Sequence, residues 1–316
     1  MGIWKKLAGA VLVLGGAAAV AGWVLTAPDP LDAAELPVVT DGAAARGERI
    51  FWAGGCTSCH ARPKSEGPAR LELVGGVELN TPFGKFVTPN ISSDPEDGIG
   101  GWSIADFANA MLRGVSPGGS HYYPAFPYAS YARMQPSDVA DLFAFMQTLP
   151  AVKGKAPDHE LGFPFNIRRG VGMWKLLNLS SQPVIALATD APEPVKLGRY
   201  LVEGPSHCGE CHTPRDFMGG TIKAEWLAGA VAAEGRGNVP NITSHENGIG
   251  SWSEDEIVTF LKDGFTPDFD SPGGAMADVI KNTAMLTDAD RAAIAAYLKA
   301  VPPRPNGYPP AQQPGS

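Results

Sequence analysis

Apolar positions along this chain fall into two regimes. From Leu7 to Ala27 they run without a single charge, long enough to meet the roughly 20 apolar residues that a membrane-crossing helix needs. Beyond that run, apolar residues recur at helical spacing in short stretches separated by loops rich in glycine and proline (38 and 29 residues). Ala45 to Ala53 and Lys196 to Glu203 predict short helices. Ile104 to Arg113 and Glu254 to Asp263 predict amphipathic helices, with Ser103 and Ser253 as N-caps and acidic residues in the first turns. A further helix is predicted from near Ser137 and another from near Thr287, stopping before Pro150 and Pro302. No stretch alternates convincingly as a strand, so the expected fold class is all-α.

The pattern occurs twice. Asp97-Gly98-Ile99-Gly100-Gly101-Trp102-Ser103 returns as Asn247-Gly248-Ile249-Gly250-Ser251-Trp252-Ser253, and Pro89-Asn90-Ile91 returns as Pro240-Asn241-Ile242. The run from Leu142 to Pro150 returns as Ile294 to Pro302. Conserved order and spacing within one chain indicate a duplicated unit. The predicted organisation is an N-terminal segment (1–28), a first domain (37–153), a connector (154–194), a second domain (195–302) and a proline-rich tail (303–316), the tail expected to be mobile. The connector is expected to pack across the domain interface; its apolar piece Met173 to Leu179 admits a second reading, as a helix docked on a membrane surface or a partner.

Cysteine usage gives the repeat its chemistry. The four cysteines form two C-x-x-C pairs, each followed by histidine: Cys56-Thr57-Ser58-Cys59-His60 and Cys208-Gly209-Glu210-Cys211-His212. C-x-x-C-H is the attachment sequence of c-type haem. Two thiols at this spacing can each form a thioether with one haem, and the adjacent imidazole then supplies the fifth ligand to iron. Zinc knuckles would need more Cys or His nearby, and a thioredoxin-like disulfide would need a βαβ setting. The cofactor expected is therefore haem c, two copies, covalently attached. Trp102 and Trp252 are expected to bury their rings near these groups, with the indole N–H aimed at a propionate or at backbone. Asn90-Ile91-Ser92 and Asn241-Ile242-Thr243 match the glycosylation sequon, but as a repeated loop motif they need no glycan.

The sixth ligand has several candidates. In the first unit Met134 lies on a loop well past the attachment sequence, whereas Met111 and Met146 fall on helical patterns and read as core. His121, in a tyrosine-rich loop, is the rival. The second unit offers Met276, behind the small residues Gly273-Gly274-Ala275, and Met285, one position from strict repeat register. Met218 and His245 are weaker candidates.

Charge bears on location and partners. Lys5 and Lys6 precede the apolar run, with Trp4 and Trp23 near its ends, so the amino end is expected to stay in the cytoplasm and the remainder to be exported. A retained anchor is the expectation; a signal peptide cleaved near Ala19-Val20-Ala21 is the alternative. Either reading puts the haem domains in the periplasm of a bacterium, and the anchor would hold them at the inner membrane. The net charge of −8 argues against a nucleic-acid partner.

Residues 45–302 resemble a known family. Thr88-Pro89-Asn90-Ile91, Gly98 to Ser103, Tyr123-Pro124-Ala125-Phe126-Pro127-Tyr128 and Tyr131-Ala132-Arg133-Met134 are similar to the multihaem cytochrome c subunits of periplasmic alcohol and gluconate dehydrogenases. Gly273 to Val279 and Ala292 to Leu298 resemble the last haem domain of that group. The resemblance implies that His60 and His212 are proximal ligands, and Met134 and Met276 distal ones. It implies that electrons arrive from a periplasmic dehydrogenase and leave to quinone or a terminal acceptor. Because both units offer a methionine to close the iron, electron transfer without a substrate of its own is expected, and the acidic exported part favours a basic soluble cytochrome c or a terminal oxidase as acceptor. The best-known members have three haem sites and this chain has two, which bears on any quinone-reducing role. A dihaem enzyme such as a peroxidase or thiosulfate dehydrogenase is the alternative function.

Overall fold

The computed structural model describes residues 2–233 and 237–308. The described side chains of helix α1 (Gly2–Leu25) are exposed along nearly its whole length. Within it, Lys6–Leu25 has mean hydropathy 2.0 and is the one helix among the described residues long and apolar enough to cross a membrane.

The first repeat forms α2 (Ala43–Ala53), α3 (Cys56–His60), α4 (Ile104–Ala108), α5 (Tyr128–Tyr131) and α6 (Pro136–Met146). The second forms α8 (Glu193–Glu203), α9 (Gly209–His212), α10 (Glu254–Asp263), α11 (Ala275–Thr283) and α12 (Asp288–Ala300), with α7 (Val171–Asn178) in the connector. Ser103 and Ser253 cap α4 and α10 as expected, each in a reciprocal box with Asp106 or Glu256. The expected helix Ile104 to Arg113 changes character midway. After Ala108 it widens into a π turn, Asn109–Arg113, whose Asn109 side chain accepts a hydrogen bond from the Leu31 amide at 2.7 Å.

Strands are present although no alternation announced them. β1 (Glu78–Thr81) and β2 (Gly84–Val87) form a hairpin, and β3 (Glu160–Leu161) from the connector adds to its edge. β4 (Ala230–Val231) pairs with β5 (Asn238–Val239) in the second half. At two to four residues each, they are too short for a period of two to register against the loops around them.

In both halves the first and last helices cross at backbone contact. A Cβ on Gly47 of α2 would stand 1.9 Å from the Asp141 carbonyl oxygen of α6, and one on Gly198 of α8 would stand 1.9 Å from the Ala293 carbonyl oxygen of α12. Only glycine permits this approach. The chain after each last helix is then tied down by a buried asparagine. Asn90 donates to the Val152 and Gly154 carbonyls at 2.7 and 2.9 Å, and Asn241 donates to the Arg304 carbonyl at 2.8 Å. The start of the expected mobile tail is thus folded: residues 303–308 lie against the second half, with the Gly307 amide bonded to the Ala228 carbonyl at 2.9 Å. Residues 309–316 of that tail lie outside the described residues.

The halves meet through a contact that repeats with roles exchanged. Ser130 Oγ donates to Glu210 of α9 at 2.7 Å, while Asn282 of α11 donates to Ser58 Oγ of α3 at 2.9 Å. Ser58 and Glu210 are equivalent positions in the repeat, as are Ser130 and Asn282. A second pair obeys the same rule. Arg49 and Tyr200, each two positions after the crossing glycine, reach Asp290 and Asp138 of the opposite half. Contacts of this i-to-j, j-to-i form define an isologous, pseudo-twofold interface. One continuous apolar core runs through it, including Trp52, Met134, Leu201 and Tyr297.

Two outcomes follow. Gly47→Ala or Gly198→Ala should cost about 3 kcal/mol by forcing a methyl into a carbonyl, read as a lower denaturant midpoint; an unchanged midpoint would contradict the close crossing. Asp290→Asn should cost about 1–2 kcal/mol at neutral pH, discounted because Arg49 is partly exposed. Burial alone would raise the Asp290 pKa, but hydrogen bonds from Arg49 and Thr287 outweigh it and hold the carboxyl below its usual range. Its contribution is therefore present above the ordinary carboxylate pKa and lost as pH falls through the lowered one. The difference between wild type and variant should close in acid, and a gap that persisted there would count against this pair.

Candidate haem-attachment sites

Each C-x-x-C-H sequence forms one short helix entered through a left-handed residue, Gly55 at φ 58° before α3 and His207 at φ 39° before Cys208 and α9. The turn brings the two cysteines and the histidine of each sequence onto one small segment. Burial pushes the Cys56 and Cys208 thiols up to about 12, so both are neutral at physiological pH. Cys59 is also raised, first by burial and then by its neighbours Cys211 and Asp278 in the other half. The two attachment helices therefore lie near one another across the interface.

The histidines are held alike. His60 Nδ1 lies 2.8 Å from the Pro89 carbonyl oxygen, and His212 Nδ1 lies 2.7 Å from that of Pro240. A carbonyl oxygen only accepts, so in each ring Nδ1 carries the hydrogen and Nε2 keeps its lone pair. Burial lowers both imidazole pKa values and so favours the neutral ring, against the opposing effect of the carbonyl. The chemistry of this set fits haem c: two thiols and an imidazole whose metal-binding nitrogen is not engaged by the carbonyl.

The backbone that presents each proline is also built twice. Gly75 N bonds to the His60 carbonyl at 2.7 Å and Gly229 N to the His212 carbonyl at 2.8 Å. Ile91 N bonds to the Leu73 carbonyl and Ile242 N to the Leu227 carbonyl, both at 3.0 Å. Leu73 and Leu227 adopt left-handed backbone, φ 46° and 62°, while their side chains are fully buried. Left-handed backbone costs a residue with a side chain roughly 1–2 kcal/mol, and here the cost recurs at equivalent places.

Met134 follows α5 and is buried, 4% exposed, in the core that Cys56 also touches. It lies close to the opposite half: a Cβ on Gly204 would stand 3.8 Å from Met134 Cγ. Met276 is half-buried in the first turn of α11, behind Gly274 at φ 59°. Met285 is 53% exposed, and its neighbour Leu286, which holds the register position of Met134, is buried. Met111 and Met146 are core residues. His121 is buried with Nε2 2.9 Å from the Thr26 carbonyl oxygen, at the foot of α1. His245 Nδ1 accepts from the Asn247 amide at 3.1 Å within its own loop, and Met218 sits in the turn that Asp216 organises. Trp102 and Trp252 are half-buried against the core.

Sequence reading missed the residues that join the sites. Asn282 also lies 2.8 Å from Thr57 Oγ1, and Arg70 donates to the same hydroxyl at 2.7 Å, so the middle of the first attachment sequence is gripped from both sides. On the second, Arg215 pairs with Glu210 at 2.6 Å and the His207 ring lies 5.6 Å from that of Tyr131. The repeat register aligns Ser58 with Glu210 and Ser130 with Asn282, but nothing in it says that one pair meets the other.

Comparison with known proteins agrees with this geometry. Residues 44–150 match the model of the cytochrome c family. The chain is 54% identical over 295 residues to a protein of Cereibacter sphaeroides described as diheme cytochrome c-type, covering 93% of this chain and 97% of that one. It is 38% identical over 274 residues to the cytochrome c subunit of the quinone alcohol dehydrogenase of Gluconobacter oxydans, covering 83% of this chain and 55% of that subunit. It is 36% identical over 261 residues to the fructose dehydrogenase cytochrome subunit of Gluconobacter japonicus, covering 81% and 52%. The chain thus spans nearly all of the first relative and about half the length of the other two. Given that identity along almost the whole of both chains, and two attachment helices with the same histidine-to-proline contact, this chain belongs to the dihaem c-type cytochromes and carries two covalently bound haem c groups.

Proposed function

We propose that this chain is a membrane-held electron carrier made of two tandem cytochrome c domains, residues 37–153 and 195–302, that work in the periplasm. In the first domain Cys56 and Cys59 form the thioethers, His60 is the proximal ligand and Met134 the distal one. In the second, Cys208, Cys211, His212 and Met276 take those roles. The observation that carries this reading is the paired His60–Pro89 and His212–Pro240 contact. A carbonyl accepting from Nδ1 fixes ring orientation and makes Nε2 a stronger donor. Bound haem supplies reversible one-electron chemistry; the residues around it set its potential, and a methionine thioether raises that potential. Met276 is preferred to Met285 because its side chain is partly buried and follows backbone that small residues leave open, whereas Met285 faces solvent.

The donor in this reading is a periplasmic dehydrogenase, supported by relatives that are cytochrome subunits of alcohol and fructose dehydrogenases. The acceptor is a basic soluble cytochrome c, a terminal oxidase or quinone. α1 serves as an inner-membrane anchor, supported by its length, its apolar character and its exposure. Setting aside Lys5 and Lys6 leaves 23 basic against 33 acidic side chains, so the part beyond the anchor carries −10. A field of that sign favours encounter with a basic partner.

Closed electron-transfer sites should leave the reduced wild-type protein indifferent to carbon monoxide. Met134→Ala and Met276→Ala should each abolish one thioether-to-iron charge-transfer band, admit carbon monoxide to that haem and lower its potential alone. Carbon monoxide binding by the wild type would favour a dihaem enzyme, and loss of a band in Met285→Ala but not in Met276→Ala would reassign the ligand. Electron transfer to a basic cytochrome c, followed by stopped flow, should slow as ionic strength rises through roughly 0.1 M, where the screening length is about 10 Å. A rate that is flat or rises would contradict a basic acceptor.

A further inference from the structure

The connector holds a surface that electron carriage leaves unexplained. Helix α7 packs by one face: Val171, Trp174 and Lys175 are buried, and the Lys175 ammonium is turned inward to the Arg113 and Gly114 carbonyls at 2.6 and 2.7 Å. Its opposite face would ordinarily be polar. Instead it carries Met173, Leu176 and Leu177, at i, i+3 and i+4, all exposed, Leu177 at 65%. The loop just before α7 adds Phe163, 81% exposed, with Phe165 and Ile167. The turn bearing Phe217, itself 90% exposed, abuts the same region, since a Cβ on Gly220 would stand 2.2 Å from Asn178 Oδ1 and one on Gly219 3.1 Å from the Phe83 ring.

This face is fastened to the end of α1. A Cβ on Gly172 would lie 2.2 Å from the Thr26 carbonyl oxygen. The Arg169 guanidinium stacks 4.3 Å from the Trp23 ring centroid and also donates to the Trp23 carbonyl. Arg168 lies 4.6 Å over the Tyr123 ring and donates to the carbonyl of His121, whose own ring bonds to Thr26. Wherever α1 leaves the hydrocarbon, these contacts carry the apolar face with it.

We propose that residues 163–177 form a membrane-surface foot, with Phe163, Phe165, Ile167, Met173, Leu176 and Leu177 seated at the boundary between headgroups and acyl chains. The occupant is the bilayer for two reasons on the molecule itself. The face continues the exposed apolar surface of a helix long enough to span, and it combines aromatic and aliphatic side chains with Arg169, stacked on Trp23 near the end of that helix, and Arg168, stacked on Tyr123, a composition suited to the interface. The foot rests on the anchor reading above and adds to it an orientation: the haem domains are held at one attitude to the membrane and do not swing on a tether.

The test uses the full-length haem-loaded chain in phosphatidylglycerol-containing nanodiscs, photolabelled by phospholipid with a diazirine in its acyl chain, with adducts mapped by mass spectrometry. Adducts on both α1 and residues 163–177 are expected. Adducts on α1 alone overturn the foot and leave the anchor standing. Adducts on 163–177 alone, or an intact mass lacking the first helix, defeat the anchor, and in that case adducts on 163–177 still sustain the foot. Absence from both segments defeats both. In the double variant Leu176→Glu, Leu177→Glu the adducts between 163 and 177 should be lost while those on α1 remain. Their persistence in that variant, or cross-links from this face to a protein in place of lipid, would also overturn the proposal.

Discussion

The contact that most constrains this molecule lies between each attachment helix and the distal segment of the opposite half: Ser130 on Glu210, and Asn282 on Thr57 and Ser58. Neither C-x-x-C-H turn is seated by its own half alone. The helix that bears Met276 ends on the first attachment sequence, and the segment that leads to Met134 begins on the second. A shift of one half against the other would therefore disturb both sites together. The continuous core and the two carboxylate contacts, Arg49 to Asp290 and Tyr200 to Asp138, oppose such a shift. Two repeats in sequence thus become one mechanical body.

Much of this was legible in the amino-acid sequence, and the reasons differ by element. The helices were readable because amphipathic stretches with serine caps carry their signals locally. The two C-x-x-C-H sequences stood out because the thioether chemistry proposed for them demands a fixed spacing within five positions. Asn90 and Asn241 were visible only as a repeated motif; their use, tying a loop to the segment after the last helix, depends on residues some 60 positions away. The same bonds explain why the start of the proline-rich tail is ordered, since Arg304 and Gly307 stand where Val152 and its neighbours stand in the first half. The interface was out of reach altogether. Serine, asparagine and glutamate on loops read as solvent-facing, and only the assembled fold turns them toward one another.

The histidine–proline contact shows how local and distant determinants combine. The histidine is placed by its own helix, but the accepting carbonyl comes from 28 or 29 positions later and is aimed by left-handed backbone at Leu73 or Leu227. Leucine is a poor choice for that conformation on its own account, and a buried, fully packed side chain offsets the strain. Glycine at either position would relieve the backbone and empty the core.

The pseudo-twofold arrangement has a consequence for divergence. In a true homodimer any substitution at a self-complementary interface appears twice, and a change that suits one side must be tolerated on the other. Linking both copies in one chain removes that coupling. Here one contact has become serine to glutamate and its mate serine to asparagine, and one carboxylate is met by arginine while its counterpart is met by a tyrosine hydroxyl. A Glu210–Arg215 ion pair beside one attachment turn and the Arg70 guanidinium beside the other place the two turns in unlike fields, so a single covalent chain can give its otherwise matched centres separate affinities for the electron.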